Sequence, residues 1–231
     1  MSQGRVGLNV VMMGPPGAGK GTQAERFARE RGIPKISTGD ILREGVRSKL
    51  QAALDAKAKM DRGELVDDET MIEIVRNRLL QPDTGAGFVL DGFPRTVAQA
   101  RALDRIVEER GNGPLVVVDM VVPEQELVRR LAGRRICTKC GHNADPADAG
   151  DTCRMCGGTL VQRADDDEHV VTERLKVHLR TTKPLVEYYR DRPTFRVVNG
   201  MQPLQRVAQE LDTVIEDAAA AGASIPKAEH P

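Results

Sequence analysis

Apolar positions along this chain gather in short continuous runs and do not strictly alternate with polar ones. Leu8–Met13, Gly87–Leu90, Pro114–Val122 and Thr194–Val198 are the clearest, rich in Val, Leu and Met. Runs of this kind suit strands buried on both faces, as in parallel sheets. Between and after them lie polar stretches of helix-forming composition, such as Glu25–Arg31, Thr96–Arg110 and Glu124–Leu131. Strands alternating with helices predict an α/β fold on a doubly wound parallel sheet.

Two stretches break the alternation. Ser37 to Val66 has no strand-like run and reads as two short helices, Gly39–Leu50 and Ala52–Arg62, followed by a turn at Gly63. Arg134 to Val171 is turn-rich and carries all four cysteines. Both read as insertions. The expected division is a core of residues 1–36, 67–132 and 171–231, a helical insertion at 37–66, and a second insertion at 133–170. The Ala/Gly-rich tail after Ile215 is expected to fray. No internal repeat is apparent.

Composition narrows the function classes. Lys and Arg number 34, as do Asp and Glu, so the formal net charge is zero, and aromatics make up 3%. Neutral charge argues against electrostatic capture of nucleic acid, and scarce aromatics leave no stacking platform for single strands. The apolar run after the polar N-terminus is too short to span a membrane and lacks a small-residue cleavage site. A cytoplasmic protein without a membrane partner is expected. No heptad or long amphipathic seam stands out, so a monomer is expected. In a reducing compartment the cysteines read as ligands or free thiols; two disulfides are the alternative in an exported chain.

Gly14-Pro15-Pro16-Gly17-Ala18-Gly19-Lys20 follows the first predicted strand and precedes a helix, the setting of a phosphate-binding loop. Glycines let backbone N–H groups converge on an anion, and the helix N-terminus adds partial positive charge. Lys20 can reach the β- and γ-phosphates. The next position, where such loops place Ser or Thr for magnesium, is Gly21, and the hydroxyl comes one residue late at Thr22. Magnesium is therefore expected on the phosphates and water, with a carboxylate behind the water.

Cys137-x-x-Cys140 and Cys153-x-x-Cys156 form two knuckles, with Gly141 and Gly157 after the second cysteine of each. Tight turns there would bring four thiolates into the closed tetrahedron of a structural zinc. The spacer is shorter than in the common zinc-ribbon pattern. His142 is a lesser alternative as a ligand.

Gly19-Lys20-Gly21-Thr22, Ser37-Thr38-Gly39-Asp40-Ile41-Leu42-Arg43 and Asp91-Gly92-Phe93-Pro94-Arg95-Thr96 occur in this order. They resemble the three signatures of nucleoside monophosphate kinases, and their spacing is similar to that of adenylate kinases. The likeness continues through Gly133-Arg134-Arg135, Gln162-Arg163-Ala164-Asp165-Asp166 and Arg174, covering about residues 7 to 213. The resemblance implies Mg-dependent transfer of the terminal phosphoryl group of ATP to AMP, giving ADP, under a closing zinc-stapled lid.

Residue by residue, it implies ATP on Gly17, Ala18, Gly19, Lys20, Gly21 and Thr22, with Arg130 on the adenine and Arg134 and Gln202 nearby. It implies AMP on Thr38, Arg43, Glu64, Leu65, Val66, Gly92, Phe93, Pro94, Arg95, Gln99, Arg163 and Arg174, with Arg43 and Arg95 on its phosphate. Arg134, Arg163 and Arg174 would close on the transferring phosphates, and Asp91 would stand behind the magnesium-bound water. Thr38 favours AMP over UMP or CMP, because pyrimidine monophosphate kinases usually carry a smaller residue there. The lid segment Gly141–Asp145 lacks the aromatic that zinc-bearing adenylate kinases carry there, which leaves its contact to ATP open. Arginine suits these tasks because its fork grips phosphate oxygens and keeps its proton. Two rivals share parts of this pattern: a switch or motor ATPase with the same loop, and a zinc-ribbon nucleic-acid module. Gly21 and the monophosphate signatures oppose the first, and charge and composition oppose the second.

Overall fold

The computed structural model describes residues 7–47, 56, 59, 61–62, 64–144, 150–163 and 166–223. Strand β1 (Leu8–Met13) leads into helix α1 (Lys20–Arg31), then β2 (Lys35–Ser37) and α2 (Thr38–Arg47). Helix α3 (Asp68–Leu79) precedes β3 (Gly87–Asp91), α4 (Val97–Arg110), β4 (Leu115–Val121) and α5 (Glu124–Ala132). A small hairpin of β5 (Arg135–Cys137) and β6 (Leu160–Gln162) follows. The described elements end with α6 (Glu168–Tyr189), β7 (Phe195–Asn199) and α7 (Leu204–Ala223).

The expected parallel sheet is present. Five strands lie in the order β2-β3-β1-β4-β7, and every pairing is parallel. The four predicted strands match β1, β3, β4 and β7 to within a residue at each end. Their continuous apolar character has the expected cause, since each face of the sheet meets its own core. Val10, Met12, Val116, Val118 and Met120 pack beneath α1 and α7, while Val11, Met13, Val117, Phe88 and Leu90 pack with α3 and α4. Order β3-β1-β4 places the ends of β1, β3 and β4 side by side, where ligands of such sheets bind.

Three expectations need correction. A strand, β2, ends at Ser37, inside the stretch read as strand-free from that residue on; three residues at a sheet edge are too few to show periodicity. The tail does not fray at Ile215: α7 continues to Ala223, because Ala218 is fully buried against the sheet. The lid holds a local repeat. Cys137 N–H donates to His142 O and Gly141 N–H to Cys137 O; sixteen residues on, Cys153 N–H donates to Gly158 O and Gly157 N–H to Cys153 O. The first insertion helix is described only to Arg47; the second, 52–62, and the turn at 63 lie largely outside the described residues, as do 224–231.

Candidate active site

The turn after β1 wraps the N-terminus of α1. Gly19 takes a left-handed conformation (φ 95°) at the N-cap, and no side chain caps the helix. The first N–H groups of α1 are thus left to an anion, where the helix dipole also favours negative charge. Lys20 folds back to donate to the Pro15 carbonyl at 2.7 Å. Burial lowers its pKa to about 8; Asp91 opposes that shift, and the positive charges of Arg95, Arg174 and Arg134 add to it. The site is therefore short of negative charge.

A cleft of about 1410 Å³ runs from this loop to α2 and up to the lid. Its lining brings together most residues singled out from the sequence: Gly17, Gly19, Lys20, Gly21, Thr22, Thr38, Arg43, Glu64, Leu65, Val66, Asp91, Gly92, Pro94, Arg95, Gln99, Arg130, Arg134, Arg163 and Arg174. Ala18 and Phe93 are 1% exposed and lie behind it, Phe93 preceding a cis peptide bond to Pro94. Gln202 is not among the lining residues. Its side chain bonds Asn199 O at 3.3 Å and Glu210.

At the α2 end, Thr38 is buried and its Oγ1 donates to Gly92 O at 3.0 Å. Gly92 has φ 83°, and a Cβ there would lie 3.0 Å from Thr38 Oγ1 and 3.1 Å from Arg95 Nη2. Glycine is thus required both by conformation and by space. Arg95 Nε donates to Gly92 O at 2.8 Å, and Arg95 N–H donates to Gln99 Oε1 at 2.8 Å. Gln99 Nε2 in turn donates to Asp68 Oδ1 at 2.8 Å. Arg43 is paired with Asp40, whose carboxyl lies below its usual range: burial opposes this, but the Arg43 charge and hydrogen bond and the Lys35 charge outweigh it.

At the lid end, Asp166 is the organising group. Its side chain is fully buried and accepts from Arg134 Nε and Nη2 at 2.7 and 2.5 Å and from Arg174 Nη1 at 3.1 Å. Arg130 is held by Glu126 at 2.7 Å and by the Gly200 carbonyl at 3.0 Å. Neither Asp166 nor Glu126 was assigned a role from the sequence. Asp166 stood in a quoted motif, but an acid among arginines does not reveal its partners. Asp91, at the end of β3, sits over the loop: a Cβ on Gly21 would be 3.2 Å from its Oδ2. The residue that breaks the usual loop pattern is the one that makes room for this carboxylate. The lid's Asn143 approaches the same point, 3.9 Å from it.

In the lid, Gly141 and Gly157 have φ 72° and 70°, the tight turns expected after each knuckle. The four Sγ atoms all lie within 4.8 Å of one another, with Cys137–Cys156 at 3.4 Å and Cys140–Cys153 at 3.7 Å. None is in a disulfide. Backbone N–H groups of Cys140 and Lys139 help to lower the Cys137 thiol to about 6. Four converging sulfurs could hold a metal ion; His142 is not part of the cluster. No helix among the described residues is long and apolar enough to cross a membrane.

The sequence model of the adenylate kinase family matches residues 12–194. The chain is 46% identical over 213 residues to an adenylate kinase of Archaeoglobus fulgidus, covering 90% of this chain and 98% of that protein. It is 44% identical to that of Methanosarcina barkeri over 213 residues (90% and 99% covered) and to that of Bacillus cytotoxicus over 212 (90% and 98%). With this match over residues 12–194, from the phosphate loop through the four-cysteine segment, the chain belongs to the adenylate kinase family.

Proposed function

We propose that this chain reversibly transfers the terminal phosphoryl group of ATP to AMP, giving two ADP, with magnesium on the nucleotide. One observation carries the reading: a single cleft joins the phosphate loop to the Thr38–Arg43 and Asp91–Arg95 segments, with Lys20, Arg95, Arg134, Arg163 and Arg174 lining it. Transfer between two anions asks for positioning and charge neutralisation, not a covalent nucleophile.

On this reading Gly17 to Thr22 cradle the donor phosphates. Lys20 leaves Pro15 O for the β- and γ-oxygens, and the phosphates restore its full charge. Arg130 stacks on the adenine, with Gln202 close by through Gly200. Arg43 and Arg95 take the acceptor phosphate, Arg43 exchanging Asp40 for it. Thr38, the backbone at Glu64–Val66 and Gln99 read the AMP base; Gln99 keeps one amide hydrogen beyond its bond to Asp68. Arg134, Arg163 and Arg174 close on the transferring group with the lid. Bound magnesium would supply charge neutralisation across the phosphates, with Asp91 behind its water. Residues 37–66 and 133–170 serve as moving insertions on a fixed core, and closure excludes water that would otherwise hydrolyse ATP.

We assign zinc to the four cysteines. A tetrahedron of thiolates with Zn–S bonds of about 2.3 Å has edges of about 3.8 Å, close to the observed sulfur separations. All four positions are filled by protein, so the ion is structural. A monomer in the cytoplasm completes the proposal.

The test is ADP formation from ATP with AMP, GMP, CMP, UMP or no acceptor. Rapid ADP formation with AMP and little without it is expected. Equal ATP consumption without an acceptor would make this an ATPase, and preference for UMP or CMP would refute the reading of Thr38.

A further inference from the structure

A second cavity, of about 250 Å³, opens on the other side of the phosphate loop. That is just below the usual size of drug-like ligand sites, roughly 300–1,000 Å³. The end of β4, the start of α5 and the middle of α6 wall it. Leu127 and Leu175 in its wall are 3% and 6% exposed, whereas Val121 and Leu179 are 50% and 64% exposed. The interior is thus largely apolar, with an apolar lip reachable from solvent.

The polar groups on this wall are few and of one sign. His178 and Thr182 satisfy each other, Nδ1 to Oγ1 at 2.8 Å, and the imidazole is held neutral by burial and by the charges of Lys20 and Arg95, its pKa lowered to about 4. Among the described residues neither lysine nor arginine lines the cavity; its acids are Asp119 and Glu124. The Asp119 side chain makes no hydrogen bond or ion pair with any described residue. Burial raises its pKa, with only the charge of Lys20 working the other way. A part-buried carboxylate in a largely apolar wall, with no hydrogen bond from a described residue, favours a cationic partner.

We propose that this cavity is a ligand site separate from the nucleotide cleft, taking a small organic cation whose apolar body fills the walls and whose ammonium group pairs with Asp119. A neutral ligand would leave the carboxylate unpaired, and an anion would be repelled by Asp119 and Glu124. The occupant would lie against Pro15, whose carbonyl holds Lys20, and against His178, which also lines the nucleotide cleft.

The probe is tryptamine, titrated into protein whose nucleotide cleft is filled with saturating ADP and magnesium and followed by backbone-amide NMR shifts. The controls are 3-ethylindole, of similar shape without the ammonium, and indole-3-acetate. Tryptamine should bind with a dissociation constant on the order of 1 mM, as befits about twelve heavy atoms, shifting amides around Leu127, Leu175 and Leu179. The neutral analogue and Asp119→Asn should each weaken binding at least about tenfold, the acid more. Equal binding of tryptamine and 3-ethylindole to the parent would overturn the proposal even if Asp119→Asn failed to fold. So would shifts confined to the nucleotide cleft, or tryptamine binding unchanged in Asp119→Asn.

Discussion

Asp166→Asn probes the lid-end charge network most directly. The side chain is fully buried and accepts from Arg134 and Arg174, which are 21% and 20% exposed. Asparagine keeps the shape but removes the charge, leaving two guanidinium groups side by side without their counter-ion. Breaking a buried ion pair from one side costs about 3–5 kcal/mol. Because the arginines keep some contact with water, about 2–4 kcal/mol is the better figure here. In a chain of this length each kcal/mol shifts the melting temperature by about 2–4 °C, so calorimetry should show a fall of about 5–15 °C. The same two arginines line the cleft, so kcat at low temperature, where the variant is folded, should drop at least about tenfold. Calorimetry and steady-state kinetics on one preparation separate the two effects. A melting temperature within about 2 °C of the parent would refute the energetic reasoning. Lost stability with unchanged kcat would confine Asp166 to a structural role.

Lys20→Met should leave a folded protein whose kcat falls at least about 100-fold, since one preorganised charge on the transferring group is lost; activity within about tenfold of the parent would contradict that role. In the free enzyme Lys20 is charged below pH 8 and loses its proton as pH rises through about 8. The kcat/KM profile should therefore fall above that pH, while the limb in kcat moves higher because bound phosphates favour the charged form; coincident limbs would argue against it. Arg95→Ala should raise the KM for AMP and lower kcat with ATP affinity nearly intact, and equal loss of ATP binding by titration would place Arg95 at the wrong nucleotide. Elemental analysis should return about one zinc per chain, and Cys153→Ser, at a position 1% exposed, should lower the melting temperature while much low-temperature activity survives; a variant as stable as the parent yet inactive would overturn the structural role.

Much of this molecule was legible in its sequence, for physical reasons that can be named. The strands β1, β3, β4 and β7 were visible because both faces of a central parallel strand are buried, which forces continuous apolar runs such as Val10–Met13. The phosphate loop and the knuckles were visible because their chemistry demands particular residues at fixed local spacing: glycines where backbone must turn, and thiolates in pairs. Tertiary structure decided the rest. The edge strand β2 exists only through its pairing with β3, and α7 runs past Ile215 only because Ala218 finds the sheet beneath it. The partners of the arginines, Asp166 for Arg134 and Arg174 and Asp40 for Arg43, follow from how the elements pack, since a charge in a sequence does not name its counter-ion. Asp119 and His178 likewise look unremarkable in the chain. What sets them apart is the largely apolar cavity to which β4 and α6 bring them, and that cavity depends on the packing of elements about sixty residues apart.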